Sequence, residues 1–197
     1  MYKIVEFEDV IRIPPALFKL PLHEAATEVL REKYEGKIFE NLGLAVTILD
    51  VSIDPVGILV PGDGATYHKV RVKALFFTPL RQEVVEGEVI VVAEYGMEVR
   101  LGPIDAFIHR SQIHEKESFS YNKEQGMWMG LKTGRLLRRG DKVRARIVQV
   151  SYGTKGLRLR VGLTMRQPYL GKLEWIEEDL RKKAEVEKGA EKKGSPS

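Results

Sequence analysis

No cysteine occurs among the 197 residues. That excludes a disulfide framework and any zinc site built on thiolates. Histidine is scarce, with four in all. His109 and His114 stand close together on a chain that bends between them, while His23 and His68 lie far upstream, so no metal-ligand spacing results. Neither a metal nor a cofactor is expected. Long apolar runs are missing too: no window approaches the roughly 18 uninterrupted apolar residues of a membrane helix. The opening MYKIVEFEDV has no apolar signal-peptide core, so an intracellular, cytoplasmic protein without membrane association is expected. Paired catalytic groups are also lacking. Glu83, Glu86, Glu88, Glu94 and Glu98 fall on strand patterns and read as a solvent face, whereas phosphodiester cleavage needs clustered carboxylates holding metal. No nucleophile stands beside a base, so the chain is expected not to be an enzyme on its own.

What is present is a mixed, soluble composition. Hydrophobic residues make up 43% and charged residues 30%, which fits one large or two small globular domains. The net charge of +4 is unevenly spread. Residues 1–79 carry 9 Lys and Arg against 11 Asp and Glu; residues 80–170 carry 16 against 10; residues 171–197 carry 7 of each. Within 131–160, 10 basic residues face only Asp141. A basic surface confined to one domain is the footprint of a phosphate-backbone binder.

The first part of the chain reads as an α+β domain over residues 1–79. Met1 to Ile13 alternates as a strand does, and Pro14-Pro15 ends it. Leu22, Ala25, Ala26, Val29 and Leu30 share one face of a helix that Pro21 opens and Gly36 closes. Leu44 to Ile53 is an apolar, β-branched run and is expected to be a buried strand. Ile58 to Val60 and Tyr67 to Phe77 are two further strands, joined across Pro61-Gly62-Asp63-Gly64. That loop lacks the Gly-Lys-Ser/Thr ending of a phosphate-binding loop and does not open a helix. A hairpin loop with positive φ at its glycines is expected, and a protein partner ahead of a small molecule.

The second domain, residues 80–170, is expected to be an all-β barrel. Val85 to Val92 alternates, Tyr95-Gly96 breaks the run, and Met97, Val99 and Leu101 resume it. Gly102-Pro103 turns the chain into a short strand, Ala106 to His109. Lys142 to Val150 and Leu157 to Thr164 are two more strands, joined by the turn Gly153 to Gly156. Five strands in roughly 80 residues is the size of an OB fold. On alternation, Lys142, Arg144 and Arg146 share one face, and Arg158 and Arg160 share another. Lys155 sits at the turn between them. Between His114 and Arg139 lies an insertion expected to form an extra hairpin or an ordered loop, with Trp128 in its core. Phe119 and Tyr121 there either pack or offer faces to bases beside Arg135, Arg138 and Arg139. A short helix is expected over 171–183 and a disordered Glu/Lys-rich tail over 184–197.

Gly87-x-Val89, Tyr95-Gly96-x-x-Val99, Phe107-Ile108-His109-x-Ser111-x-Ile113 and Gly140-Asp141-x-Val143 together resemble the S1 RNA-binding domain. Two positions depart from the family pattern: Glu98 stands where an aromatic is common, and Ala106 where glycine is usual. Arg12 to Pro15, Leu30 to Gly36, Pro61 to Val70 and Leu163 to Trp175 extend a second resemblance across residues 1–176. It is to the family of the seventh (E-prime) subunit of archaeal DNA-directed RNA polymerase, similar to the seventh subunit of eukaryotic RNA polymerase II. That resemblance implies a truncated RNP-like N-terminal domain whose tip, Pro61, Gly62, Asp63, Gly64, Ala65, Thr66 and Tyr67, docks on the polymerase core. It implies a heterodimer with the polymerase's fourth (F) subunit and a stalk that binds the emerging single-stranded transcript. The expected RNA contacts are Lys142, Arg144, Arg146, Lys155, Arg158, Arg160, Tyr95, Phe107 and Tyr121, with His109 either a donor to RNA or a satisfied strand-end residue. A translation or RNA-decay factor carrying the same barrel is the alternative.

Overall fold

The computed structural model describes residues 1–153 and 158–193. The chain divides into two compact units: residues 1–79 with the described residues of 152–159, and residues 80–151 with 160–193.

In the first unit, β1 (Tyr2–Ile13), α1 (Leu22–Tyr34), β2 (Ile38–Phe39), β3 (Gly43–Ile53), β4 (Ile58–Leu59) and β5 (Thr66–Phe77) follow in order. The antiparallel sheet runs β1-β5-β3-β2, and β4 adds to β5. Helix α1 starts after Pro21, which fits a first turn whose amides are unpaired in any case. It buries Ala25, Ala26 and Leu30 against Ile11, Ile48, Val72 and Phe76 of the sheet. Asp9 of β1 accepts from Lys33 at 2.5 Å and from the Tyr34 hydroxyl at 2.8 Å, tying the end of the helix to the sheet. Strand β3 is not fully buried as its apolar run suggested. Ala45, Ile48 and Val51 face inward, while Leu49 and Asp50 are exposed. The reason is a broken register, shifted between Ala45 and Thr47 and again between Ile48 and Asp50. The Glu35 carboxylate takes up the freed Ile48 amide at 2.9 Å.

The second unit begins with β6 (Val84–Ala93), β7 (Gly96–Leu101) and β8 (Ile104–His109). The insertion forms β9 (Phe119–Asn122), β10 (Met127–Gly130) and β11 (Leu136–Leu137). Then come β12 (Lys142–Tyr152), β13 (Leu159–Thr164), β14 (Gly171–Lys172) and α2 (Leu173–Lys193). The strand order β13-β8-β7-β6-β12 is closed by pairing of β12 with β13, so the five strands make a barrel without free edges. Of the pairings in this barrel, that of β8 with β13 is parallel. Val89, Val99, Ile108, Val143, Ile147 and Leu163 fill the interior, each at most 1% exposed.

Two expectations are corrected here. The insertion is a three-stranded sheet, β11-β10-β9, rather than a single hairpin. Trp128 is its buried centre, and Glu117 closes its turn by accepting from the amides of Lys132 and Thr133 at 2.8 and 2.7 Å. The C-terminal helix does not stop near 183. It starts at Leu173 and continues to Lys193, taking in most of the segment expected to be disordered. Ala, Glu and Lys are strong helix formers and carry the helix on without an apolar stripe in the sequence. Its first turn is anchored by the buried Trp175 and Ile176, and the Arg135 guanidinium lies over the Trp175 ring. Among the described residues no helix is long and apolar enough to cross a membrane.

Candidate nucleic-acid interface

The turn after β6 places Tyr95 on the barrel surface, 62% exposed. Its ring lies nearly parallel to that of Phe107, with centroids 5.8 Å apart and planes at 30°. His109 continues the row, its ring centroid 6.4 Å from that of Phe107. Phe107 and His109 point outward because Ala106 and Ile108, on the alternate positions of β8, fill the core. Gly96 makes the row possible. A Cβ there would stand 2.2 Å from the Ile108 carbonyl oxygen and 2.7 Å from the Phe107 ring. On the other side of Phe107 the register partner in β13 is Gly162, and the Gln149 side chain of β12 lies over that glycine. Arg160, two residues earlier on the same face, is exposed, as is Arg158. His109 accepts the Ser111 amide on Nδ1 and lies 2.8 Å from the Ser111 hydroxyl, which fixes its ring in the row. Glu98 is the register partner of Phe107 in β7.

The β12 cations are placed differently from the expected free basic face. Arg144 pairs with Glu86 directly opposite, Nη2 to Oε1 at 2.7 Å. Lys142 stands opposite Glu88, Glu88 opposite Arg100, and Arg100 opposite Asp105 in the registers of four successive strands. Arg100 and Asp105 close to 3.1 Å. Charge therefore alternates across this face and largely compensates itself. Arg146 is half-buried, with its Nε enclosed and without a hydrogen-bond partner among the described residues. Tyr121 packs its ring on Trp128 at 5.4 Å and leaves only part of itself exposed. Lys155 lies outside the described residues.

In the first unit, the loop Pro61 to Tyr67 is closed on itself. Asp63 accepts two hydrogen bonds from the Arg12 guanidinium, at 2.8 and 2.7 Å, one from the Tyr67 hydroxyl at 2.7 Å and one from the Ala65 amide. The hydrogen bonds from Arg12 and then Tyr67 hold the Asp63 carboxyl well below the usual carboxylate range, and Asp63 pushes the Arg12 guanidinium up. Gly62 turns with φ +89 and Ala65 is fully buried. Beside this clamp lies a feature that strand patterning concealed. Val56, Ile58 and Leu59 are 74%, 64% and 68% exposed, and Val60 follows them. The signal available in the sequence was an apolar run, Val56 to Val60, bounded by Pro55 and Pro61 and too short to cover itself.

Among the described residues no group of three or more His, Cys, Asp or Glu side chains is arranged to hold a metal ion.

Comparisons with known proteins agree with both units. Residues 8–64 match the family described as the SHS2 domain found in the N terminus of Rpb7p/Rpc25p/MJ0397. Residues 79–162 match the S1 RNA binding domain. DNA-directed RNA polymerase subunit Rpo7 of Saccharolobus solfataricus is 48% identical over 89% of this chain and 97% of its own length. The same subunit of Sulfolobus acidocaldarius is 38% identical over 92% of this chain and 98% of its own. DNA-directed RNA polymerase III subunit RPC8 of Saccharomyces cerevisiae is 34% identical over 66% of this chain and 61% of its own. Near-complete coverage at such identity, with an SHS2 unit and an S1 barrel in the same order, shows that the chain belongs to the Rpo7 family of DNA-directed RNA polymerase subunits.

Proposed function

We propose that this chain is a non-catalytic stalk subunit of an archaeal DNA-directed RNA polymerase, that it pairs with the fourth (F) subunit of that enzyme, and that its barrel holds the emerging single-stranded transcript. The observation that carries this is the family relationship over almost the whole chain, joined to an exposed aromatic row on the barrel. Tyr95, Phe107 and His109 offer ring faces to bases, a contact that tolerates any sequence. Arg160 neutralises phosphate, with Lys142 at the margin. Arg144 joins only by releasing Glu86. The exposed strip Val56 to Val60 and the clamped loop Pro61 to Tyr67 present a preformed tip to the polymerase core.

A tagged pull-down from native extract, read by mass spectrometry, tests the assembly. Large polymerase subunits with one small partner are expected, and ribosomal or decay proteins without polymerase would refute it. Affinity for single-stranded RNA should fall with salt, with a log–log slope of about −0.7 for each phosphate contact.

A further inference from the structure

A second groove opens at one end of the aromatic row. It has a volume of about 840 Å³ and lies between the turn after β8 and the inserted sheet β9–β11. The two features are joined covalently and by a hydrogen bond: the Arg110 amide, on the groove wall, donates to the Tyr95 carbonyl at 3.1 Å. Arg110, Lys116, Lys123 and Arg166 line the groove and are all exposed. None of the four forms an ion pair among the described residues, in contrast to the compensated face of β12, β6 and β7. Phe119 and Tyr121 contribute half-exposed rings. Of the three carboxylates there, Glu117 is occupied by the amides of Lys132 and Thr133 and by the Thr133 hydroxyl. Glu94 and Glu115 remain as acceptors, a chemistry suited to base amino groups and not to phosphate.

From this placement we infer that the groove is a second nucleic-acid subsite, in which single-stranded RNA leaving the Tyr95–Phe107–His109 row continues between barrel and insertion. The inference rests on the RNA-binding role proposed for the barrel. Phosphates meet Arg110, Lys116, Lys123 and Arg166, and one base lies against Tyr121 or Phe119. Four unpaired cations beside two rings are the components a single-strand channel combines. The insertion is then a lengthening of the binding surface and not merely a cover for the barrel end.

The test compares two fluorescent oligouridylates on the full chain, one of about 4 nucleotides, the short limit of an OB-fold site, and one of about 12. The Lys116→Ala/Lys123→Ala variant is expected to bind the short RNA as the wild type does and the long RNA more weakly. Its salt slope on the long RNA should fall by about 1.4, two phosphate contacts' worth. Lys116→Arg/Lys123→Arg should restore it. Both lysines are exposed, and a thermal melt of each variant confirms that it folds. An unchanged slope on long RNA, with Tyr95→Ala/Phe107→Ala still losing both RNAs, overturns the groove and leaves the barrel's role intact. Equal losses on short and long RNA also overturn it, since they mark diffuse attraction and no subsite. Failure of the wild type to bind either RNA removes the barrel's role and the groove together.

Discussion

Gly96 stands between two demands. The chain must turn from β6 into β7, and the Phe107 ring must lie against that turn. Alanine there would drive its Cβ into the Ile108 carbonyl oxygen, a backbone atom that cannot swing aside. Gly96→Ala is expected to cost about 1–3 kcal/mol, as overpacked sites do, and to weaken RNA binding by displacing Phe107. Chemical denaturation and RNA titration of the variant check both. Asp63 gives a pH-dependent case. Its carboxyl titrates lower in the folded chain than in the unfolded one, because Arg12 and Tyr67 bond the ionised form. The stability it contributes is therefore complete above the unfolded value of about 4 and is lost as pH falls through the depressed folded value. Melting temperatures of wild type and Asp63→Asn should differ at neutral pH and converge under strongly acidic conditions. A gap that persists unchanged at low pH would show that packing, and not charge, closes the loop. The Tyr-Gly break was legible in the sequence, but the clamp was not. Arg12 and Asp63 lie 51 residues apart and meet only because β1 and β5 pair in one register.

Strand alternation made the barrel readable. Each of its strands has one face against a packed interior, which forces a period of two on the residues. Alternation says which residues point outward but nothing about what they meet there. Lys142 and Arg144 do point outward, yet the registers with β6 set glutamates opposite them. Cross-strand partners depend on pairing, and pairing is non-local. Arg144 of β12 and Arg160 of β13 should therefore behave differently. Arg144→Gln is expected to change stability by less than about 1 kcal/mol, because its pair with Glu86 is exposed. It should also leave the RNA salt slope nearly unchanged. Arg160→Gln, which removes a cation without an ion-pair partner among the described residues, should lower that slope by about 0.7. RNA titrations at several salt concentrations separate the two, and equal effects would mean that the Glu86 pair opens on binding. The insertion and α2 were the harder elements. Short strands of two to four residues leave too few positions for a period to show, and the part of α2 beyond residue 183 carries no apolar stripe in the sequence.

The two units expose surfaces of opposite character. The first carries an apolar strip, Val56, Ile58 and Leu59, that a solitary protein would be expected to cover. The second carries rings and cations that form no ion pair among the described residues, a surface suited to a polyanion. A boundary near residue 80 was legible in the sequence, whereas the passage of the described residues of 152–159 into the first unit was not. The apolar strip was hidden because exposure cannot be read from hydrophobicity alone. If the tasks are separate, they can be removed separately. Ile58→Ser/Leu59→Ser should abolish co-purification of the polymerase subunits while leaving RNA affinity and its salt slope at wild-type values. Neither residue contributes to a buried core, so the first unit should melt at an unchanged temperature. Tyr95→Ala/Phe107→Ala should do the reverse, retaining the polymerase and losing the RNA. If the Ile58→Ser/Leu59→Ser variant still recovers the whole enzyme, the strip is not what holds this chain to the core, and the attachment must lie in the clamped loop or in the small partner.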